Sequence, residues 1–419
     1  MIALRIVDFC LAECLQTLRF HNEQYDIIST HHDYTFQWLW DAPEYNAWNL
    51  DEHSGMLFIE GKPGSGKSTL ARYLRMFFFS RHHTAGKINP AKSITAGFFY
   101  SRRDGDPEMS HYNMLRTLLY DILLADESFF IHFQKEFRYG GGSNIVWKND
   151  TLKSILLACG KHPLRTSIFL IVDAMDESNE EDRRDVIQLL QALSTPTTIN
   201  TECVVKVVLT SRPINELHHD LMDTRNRIVL QDRNRADIEK YTDTFLGDRV
   251  FCRAQRFKEE AKNYIVENSD GVFLWVSLIR EDLVRFVNHG RNINKLMAFL
   301  KGLPKGLESY YIRMLQVLLT GNEDDINDGK RILQFCLYSH RTIELIELDH
   351  AFGIPGDNTD SEPEISLSCW EDERPTDIQK LVTQCIGNFV EIRSRPTLGL
   401  EGRFPVDIER LCDLSLLSC

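Results

Sequence analysis

The sequence predicts an α/β fold, a five-stranded parallel sheet with helices on both faces, followed by an all-helical region. Three observations predict it. Short, near-continuous apolar runs recur between residues 56 and 231, as strands buried on both faces require. Helical segments lie between them, as crossovers between parallel strands must. After about residue 233 the strand pattern stops and amphipathic helical segments follow one another.

Residues 5–29 read as a helical lead-in, followed by FQWLWD (36–41) and the polar approach NAWNLDEHSG. The expected strands are MLFIE (56–60), ITAGFFY (94–100), SIFLIVD (167–173), VVKVVLT (204–210) and RIVLQ (227–231). STLARYLRMFFF (68–79), MLRTLLYDILL (114–124) and RRDVIQLLQALS (183–194) have crossover-helix patterning, and RYGGGSN (138–144) reads as a loop. DIEKYTDTFL, FKEEAKNYIVEN, VFLWVSLIREDLVRFV, INKLMAFLKGL and LESYYIRMLQVLL are the later helices. Two more are expected within 326–353, then an acidic loop (356–376) and the helical IQKLVTQCIGNFVEIRS; periodicity fades from about 394.

The 419 residues allow about two to four compact units. The net charge of -13 argues against a nucleic-acid binder, which carries a basic face. Any anion site must therefore be local. Ten scattered cysteines without a CxxC or zinc spacing point to free thiols in a reducing, cytoplasmic setting. Asp8 and Glu13 interrupt the apolar N-terminus, so a signal peptide is not expected, and no 18-residue apolar stretch predicts a membrane span. The histidine pairs His31–His32, His82–His83 and His218–His219 match no metal motif; the histidines read as solvated surface residues.

GKPGSGKS (61–68) fits G-x-x-x-x-G-K-[ST], with a strand before it and a helix after it. The glycines let the loop bend so that its N–H groups face phosphate oxygens, and the helix start adds its positive dipole end. Gly61, Lys62, Pro63, Gly64, Ser65, Gly66, Lys67, Ser68 and Thr69 are the candidate nucleotide-binding residues. Lys67 is expected to reach the β- and γ-phosphates, and the Ser68 hydroxyl to bind Mg²⁺. FLIVDAMDE (169–177) supplies acids at a strand tip: Asp173 for Mg²⁺, Asp176 to orient or deprotonate the attacking water, and Glu177 as second choice for that role. VVKVVLTSRP (204–213) ends in Arg212, whose planar guanidinium suits a γ-phosphate.

With these elements in order, the chain resembles the NACHT-type signalling NTPases, and more closely those of filamentous fungi. The carrying residues are CLQTLRF (14–20), HHDYTFQWLWD (31–41), GKPGSGKSTL (61–70), FFYSRRDGD (98–106), LRTLLYDIL (115–123), IFLIVDAMDE (168–177), LTSRP (209–213), LQDRNRADIEKY (230–241), GVFLWVSLI (271–279) and GLPKGLESYYIRML (302–315). The resemblance covers about 14–393. It implies the strand order 5-1-4-3-2, with the Asp173 and Arg212 strand ends beside the phosphate loop. It also implies a helical lead-in (1–50), an NTPase domain (51–233), a helical domain (234–322), a partial winged-helix-like domain (323–393) and an atypical tail (394–419). PTLGLEGRFPVDIERLCDLSLLSC stands where the family continues its winged helix, so the chain reads as truncated or mis-spliced there.

The function the resemblance implies is a nucleotide switch: closed with diphosphate, opened by triphosphate to homo-oligomerise, hydrolysing slowly with Mg²⁺, with a protein partner outside this chain. Adenine is the default base because no N-K-x-D motif is present, although GTP is preferred by some fungal relatives. Trp38, Trp40 and Trp48 are candidates to stack on the base. The alternatives are a non-catalytic nucleotide-binding scaffold and a fast P-loop kinase or motor.

Overall fold

Five strands, β1 (Gly55–Glu60), β2 (Lys92–Phe99), β3 (Thr166–Asp173), β4 (Cys203–Ser211) and β5 (Arg227–Val229), pair in parallel in the order β2-β3-β4-β1-β5. This is the expected order read from the opposite edge. The computed structural model describes residues 2–28, 30–84, 92–103, 105–195, 202–213, 226–320, 322–341, 343–354, 374–386, 389–394 and 412–416. All five predicted strands form; RIVLQ is shorter as a strand because it turns into a 3₁₀ segment at Leu230–Asp232.

The period-two alternation of each strand divides the apolar side chains between two faces. Phe58, Ile168, Leu170, Val172, Val207 and Leu209 pack on one face with helices His111–Ala125, Asn149–Cys159 and Arg183–Ser194. Leu57, Ile59, Phe169, Ile171 and Val208 pack on the other, against Leu70, Ala71 and Leu74 of helix Lys67–Thr84. Both faces are covered, which is why the strands read as apolar runs.

The lead-in is two helices, Ile2–Leu18 and Glu23–Ile27, not one continuous segment. Asn22 lies in the break between them and is buried. Its carboxamide pairs with the edge of β2 as a strand would, accepting from Phe99 N at 2.9 Å and donating to Phe99 O at 2.9 Å. The same Nδ2 contacts the buried Glu108 carboxylate. The polar approach to β1 contains a helix, Pro43–Leu50, started by Pro43 and packed through buried Tyr45 and Trp48.

The histidine reading needs correction. His111 and His162 are buried: His111 bonds the Tyr100 hydroxyl at 2.8 Å, and His162 bonds His132 at 2.9 Å and stacks on Phe129. Burial holds His111, His132 and His162 below the usual histidine range. His31 packs edge-on against Tyr73. His218 and His219, and the His82 and His83 side chains, lie outside the described residues.

The chain divides into two compact units, residues 1–102 with 106–276, and 103–105 with 277–419. The first contains the sheet and, after it, helices Arg235–Leu246 and Lys258–Asn268. The second is helical, with Leu307–Leu318, Glu323–Tyr338, Leu345–Phe352 and Ile378–Cys385 around Tyr311, Ile332, Leu348, Val382 and Ile386. It also holds a small antiparallel sheet, β6 (Ile343–Glu344), β7 (Val390–Ser394) and β8 (Cys412–Leu416), in the order β6-β8-β7. Most of the acidic 356–376 loop and of the 394–419 tail lies outside the described residues. Among the described residues, no helix is long and apolar enough to cross a membrane.

Asn22 generates the first prediction. Asn22→Ala leaves the N–H and C=O of Phe99 unpaired in the interior, each at a cost of about 1–3 kcal/mol. Urea unfolding should show a loss of at least about 2 kcal/mol; a loss under about 0.5 kcal/mol would refute this account of the edge.

Candidate nucleotide site

The parallel register brings four strand ends to one edge: Glu60 of β1 pairs with Ser211 of β4, and Asp173 of β3 with Phe99 of β2. Ligands of open α/β sheets bind at such carboxyl ends. The loop after β1 starts at Gly61, whose N–H is held by Ser211 O at 3.2 Å, and the helix begins at Lys67. Gly64 and Gly66 sit at φ +70° and +94°, backbone that L side chains rarely adopt. The N–H groups of the first helical turn have no intrahelical acceptors, so they are free for anion oxygens.

Lys67 is 8% exposed, and its ammonium donates to Gly61 O at 2.9 Å and Lys62 O at 3.1 Å. Burial lowers its pKa, opposed by the charges of Asp176 and Asp173. A buried cation held by neutral carbonyls, with carboxylates beyond them, is poised to take up anionic oxygens.

Asp173 is fully buried at the tip of β3. Its Oδ1 accepts from Thr210 Oγ at 2.5 Å, whereas Oδ2 has no hydrogen bond of normal geometry among the described residues. Desolvation pushes its pKa up to about 6, against the opposing pull of the Ser68 and Thr210 hydroxyls and of Lys67. An orphaned carboxylate oxygen with the Ser68 hydroxyl nearby is an all-oxygen donor set, which fits a Mg²⁺ that keeps most of its waters.

Asp176 and Glu177 follow on a 3₁₀ turn entered through Ala174, at φ +56°. Both are engaged with Arg212. Asp176 Oδ1 accepts from Arg212 N at 2.9 Å, its Oδ2 lies 3.1 Å from Arg212 Nε, and Glu177 Oε1 lies 3.3 Å from Arg212 Nη2. The structure therefore brings Asp176, Glu177 and Arg212 together, but pairs them with one another, while Asp173 bonds Thr210.

Several positioning residues escaped the sequence reading. Arg183, 5% exposed, holds the acidic turn through Ser178 O at 2.6 Å and Ser178 Oγ at 3.0 Å. Lys62 N donates to Gln231 Oε1 at 3.1 Å, and Leu274 N to Gly64 O at 3.1 Å. Gln231 and Leu274 stand inside the LQDRN and GVFLWV segments, and that was their only signal. Of the three tryptophans, Trp48 is core, bonded to Gly55 O; Trp40 Nε1 donates to Tyr73 and Trp38 Nε1 to Asp237.

The sheet order, the glycine loop and the strand-tip carboxylate define a P-loop nucleotide-binding protein. Residues 34–212 match the family model described as nephrocystin 3, N-terminal. The chain is 25% identical over 377 residues to vegetative incompatibility protein HET-E-1 of Podospora anserina, covering 86% of this chain and 25% of that protein. It thus spans about a quarter of the length of that relative. Among solved structures, Drosophila ORC bound to DNA aligns with a TM-score of 0.37 at 11% identity, covering 97% of this chain and 89% of that one. Aeropyrum pernix ORC1 in complex with DNA aligns with a TM-score of 0.34 at 12% identity, covering 94% and 92%. The family model and the fungal relative support the resemblance to NACHT-type NTPases that the motifs carry.

The Asp173 environment carries a pH prediction. The folded pKa of about 6 exceeds the ordinary 3.8, so the ionised group costs stability above pH 6 and this cost is relieved as pH falls. Asp173→Asn copies the neutral form. It should raise the melting temperature of nucleotide-free protein at about pH 7.5, by roughly 2–4 °C per kcal/mol relieved. Melts at successively lower pH should show the gain shrinking below about 6; a gain that grows on acidification would contradict the assignment.

Proposed function

We propose that the protein is a nucleotide-controlled signalling switch that hydrolyses ATP or GTP slowly with Mg²⁺. The observation that carries the reading is the pairing of an intact phosphate loop with an Arg212–Asp176–Glu177 cluster that is closed on itself. Gly61–Thr69 hold the phosphates, Lys67 leaves its loop carbonyls for the β- and γ-oxygens, and Ser68 and Asp173 hold the metal. When bound, Mg²⁺ would neutralise charge on the phosphate oxygens. Asp176, or Glu177 in second place, orients the attacking water, and Arg212 meets the γ-phosphate. Both acids must first be freed from Arg212, which favours a slow, gated reaction over rapid turnover.

A triphosphate that draws Arg212 away from the acids interacts differently with the two arrangements, which is what shifting a population requires. Homo-oligomer formation in the triphosphate state and an unidentified protein partner belong to this reading, in a cytoplasmic setting without nucleic acid or membrane. The relative's name, a vegetative incompatibility protein, supports a role in fungal self/non-self recognition or innate immunity. A second reading, nucleotide binding without hydrolysis, is favoured by the same Arg212 pairing.

The test is release and identification of nucleotide from purified protein, with steady-state turnover measured alongside. Wild type is expected to retain adenine or guanine nucleotide and to turn over below about 1 s⁻¹, the low end of enzyme rates. Lys67→Ala should lose most of its nucleotide; equal content in both proteins would remove Lys67 from the site. Retention without any Mg²⁺-dependent release of phosphate would select the second reading.

A further inference from the structure

The segment 234–237, at the start of helix Arg235–Leu246, reaches two separate parts of the candidate site. Asn234 is fully buried, and its Nδ2 donates to Ser65 O of the phosphate loop at 2.7 Å and to Gly271 O at 2.8 Å. Asp237, one turn on and 1% exposed, accepts at Oδ2 from Phe36 N at 2.8 Å and from Trp38 Nε1 at 3.0 Å. Phe36 is held at φ +62°, and its ring lies against Gly66: a Cβ on Gly66 would lie 3.8 Å from it. One helical turn thus fixes the phosphate loop through Ser65 and the 36–38 segment through Phe36.

We propose that Asn234 and Asp237 are paired positioning residues for nucleotide binding. They lock helix Arg235–Leu246 to the loop, so that the two move as one body when nucleotide is exchanged. The N–H groups of a phosphate loop face the anion only if its carbonyls are turned away and held, and Asn234 holds the carbonyl of Ser65. Buried polar side chains are costly unless bonded, and Asn234 still leaves Oδ1 without a partner among the described residues. A group that served packing alone would be better replaced by an apolar one of its size. Asp237 does the same for Phe36, a residue in a backbone region costly for a non-glycine residue. The binding part of this inference rests on the nucleotide reading above; the mechanical part does not.

Two measurements separate these parts. Hydrogen exchange of nucleotide-free protein tests the tie alone. Asn234→Ala should speed exchange of the 64–67 amides, and Asp237→Ala that of Phe36, at least about tenfold each, while β3 amides stay unchanged. Unaltered exchange in folded variants overturns the proposal. Binding of a fluorescent ADP or GDP analogue tests the consequence. Asn234→Ala should weaken it about tenfold or more, mainly by faster dissociation, the equivalent of one lost buried hydrogen bond. Asp237→Asn keeps an acceptor oxygen and should retain most of the affinity that Asp237→Ala loses. Faster exchange with unchanged affinity overturns the positioning role. A wild type that binds no nucleotide while the exchange effects hold refutes the functional reading and leaves the mechanical tie standing.

Discussion

The buried carboxylate of Asp173 is the constraint around which the candidate nucleotide site is arranged. It ends β3, fully buried, with one oxygen that has no hydrogen bond of normal geometry among the described residues. The nearest mobile cation, Lys67, turns to the carbonyls of its own loop instead of making a direct ion pair. Opposite charges are thus held apart at short range in a dry setting, an arrangement that costs folding free energy. Phosphate oxygens and a divalent cation would satisfy both ends at once. A site poor in its own contacts gains most from a ligand, which is the usual stability cost of function.

Arg212 balances the same site from β4. It could have stood free toward the loop; it is instead drawn onto Asp176 through both backbone and side chain and onto Glu177 through its outer nitrogen. Arg183 fixes the turn that carries these acids through its bonds to Ser178, which limits where the acids can move. The more exposed member of that pair is the Arg212 side chain, about a quarter exposed while Asp176 is nearly buried.

The sheet was legible because a strand covered on both faces must be apolar along its whole length, and MLFIE, SIFLIVD and VVKVVLT are so. The phosphate loop, Asp173, Asp176 and Arg212 were legible because their residue types recur at fixed places relative to strand ends. Helix Pro43–Leu50 was not, since one tyrosine, one tryptophan and polar residues over eight positions give no clear period. Neither were the buried histidines: the sequence shows that a residue is polar, and only the fold shows that His162 has Phe129 beneath it and His132 beside it. Asn234, Gln231 and Arg183 act through single hydrogen bonds to backbone groups, and such bonds leave no periodic trace.

The change from alternating strands to helices at about residue 233 marks a change in element type; packing follows a different rule. Helix Arg235–Leu246 carries an amphipathic pattern with Ile238, Phe245 and Leu246 buried, which any helical domain would show. Directed polar contacts tie the start of this helix and the 270–274 segment to the loop after β1 and to Phe36: Asn234 to Ser65, Asp237 to Phe36, Leu274 N to Gly64 O, and the Lys62–Asp270 ion pair. Gly271, at φ +72°, lets the backbone press against Gln231, where any Cβ would lie 2.1 Å from a carbonyl oxygen. Apolar packing alone would let the helices slide over the loop, whereas directed bonds to three loop residues and to Phe36 allow one register. A nucleotide that moves the loop must therefore move these helices with it or break several buried hydrogen bonds together, and the second course is far more costly.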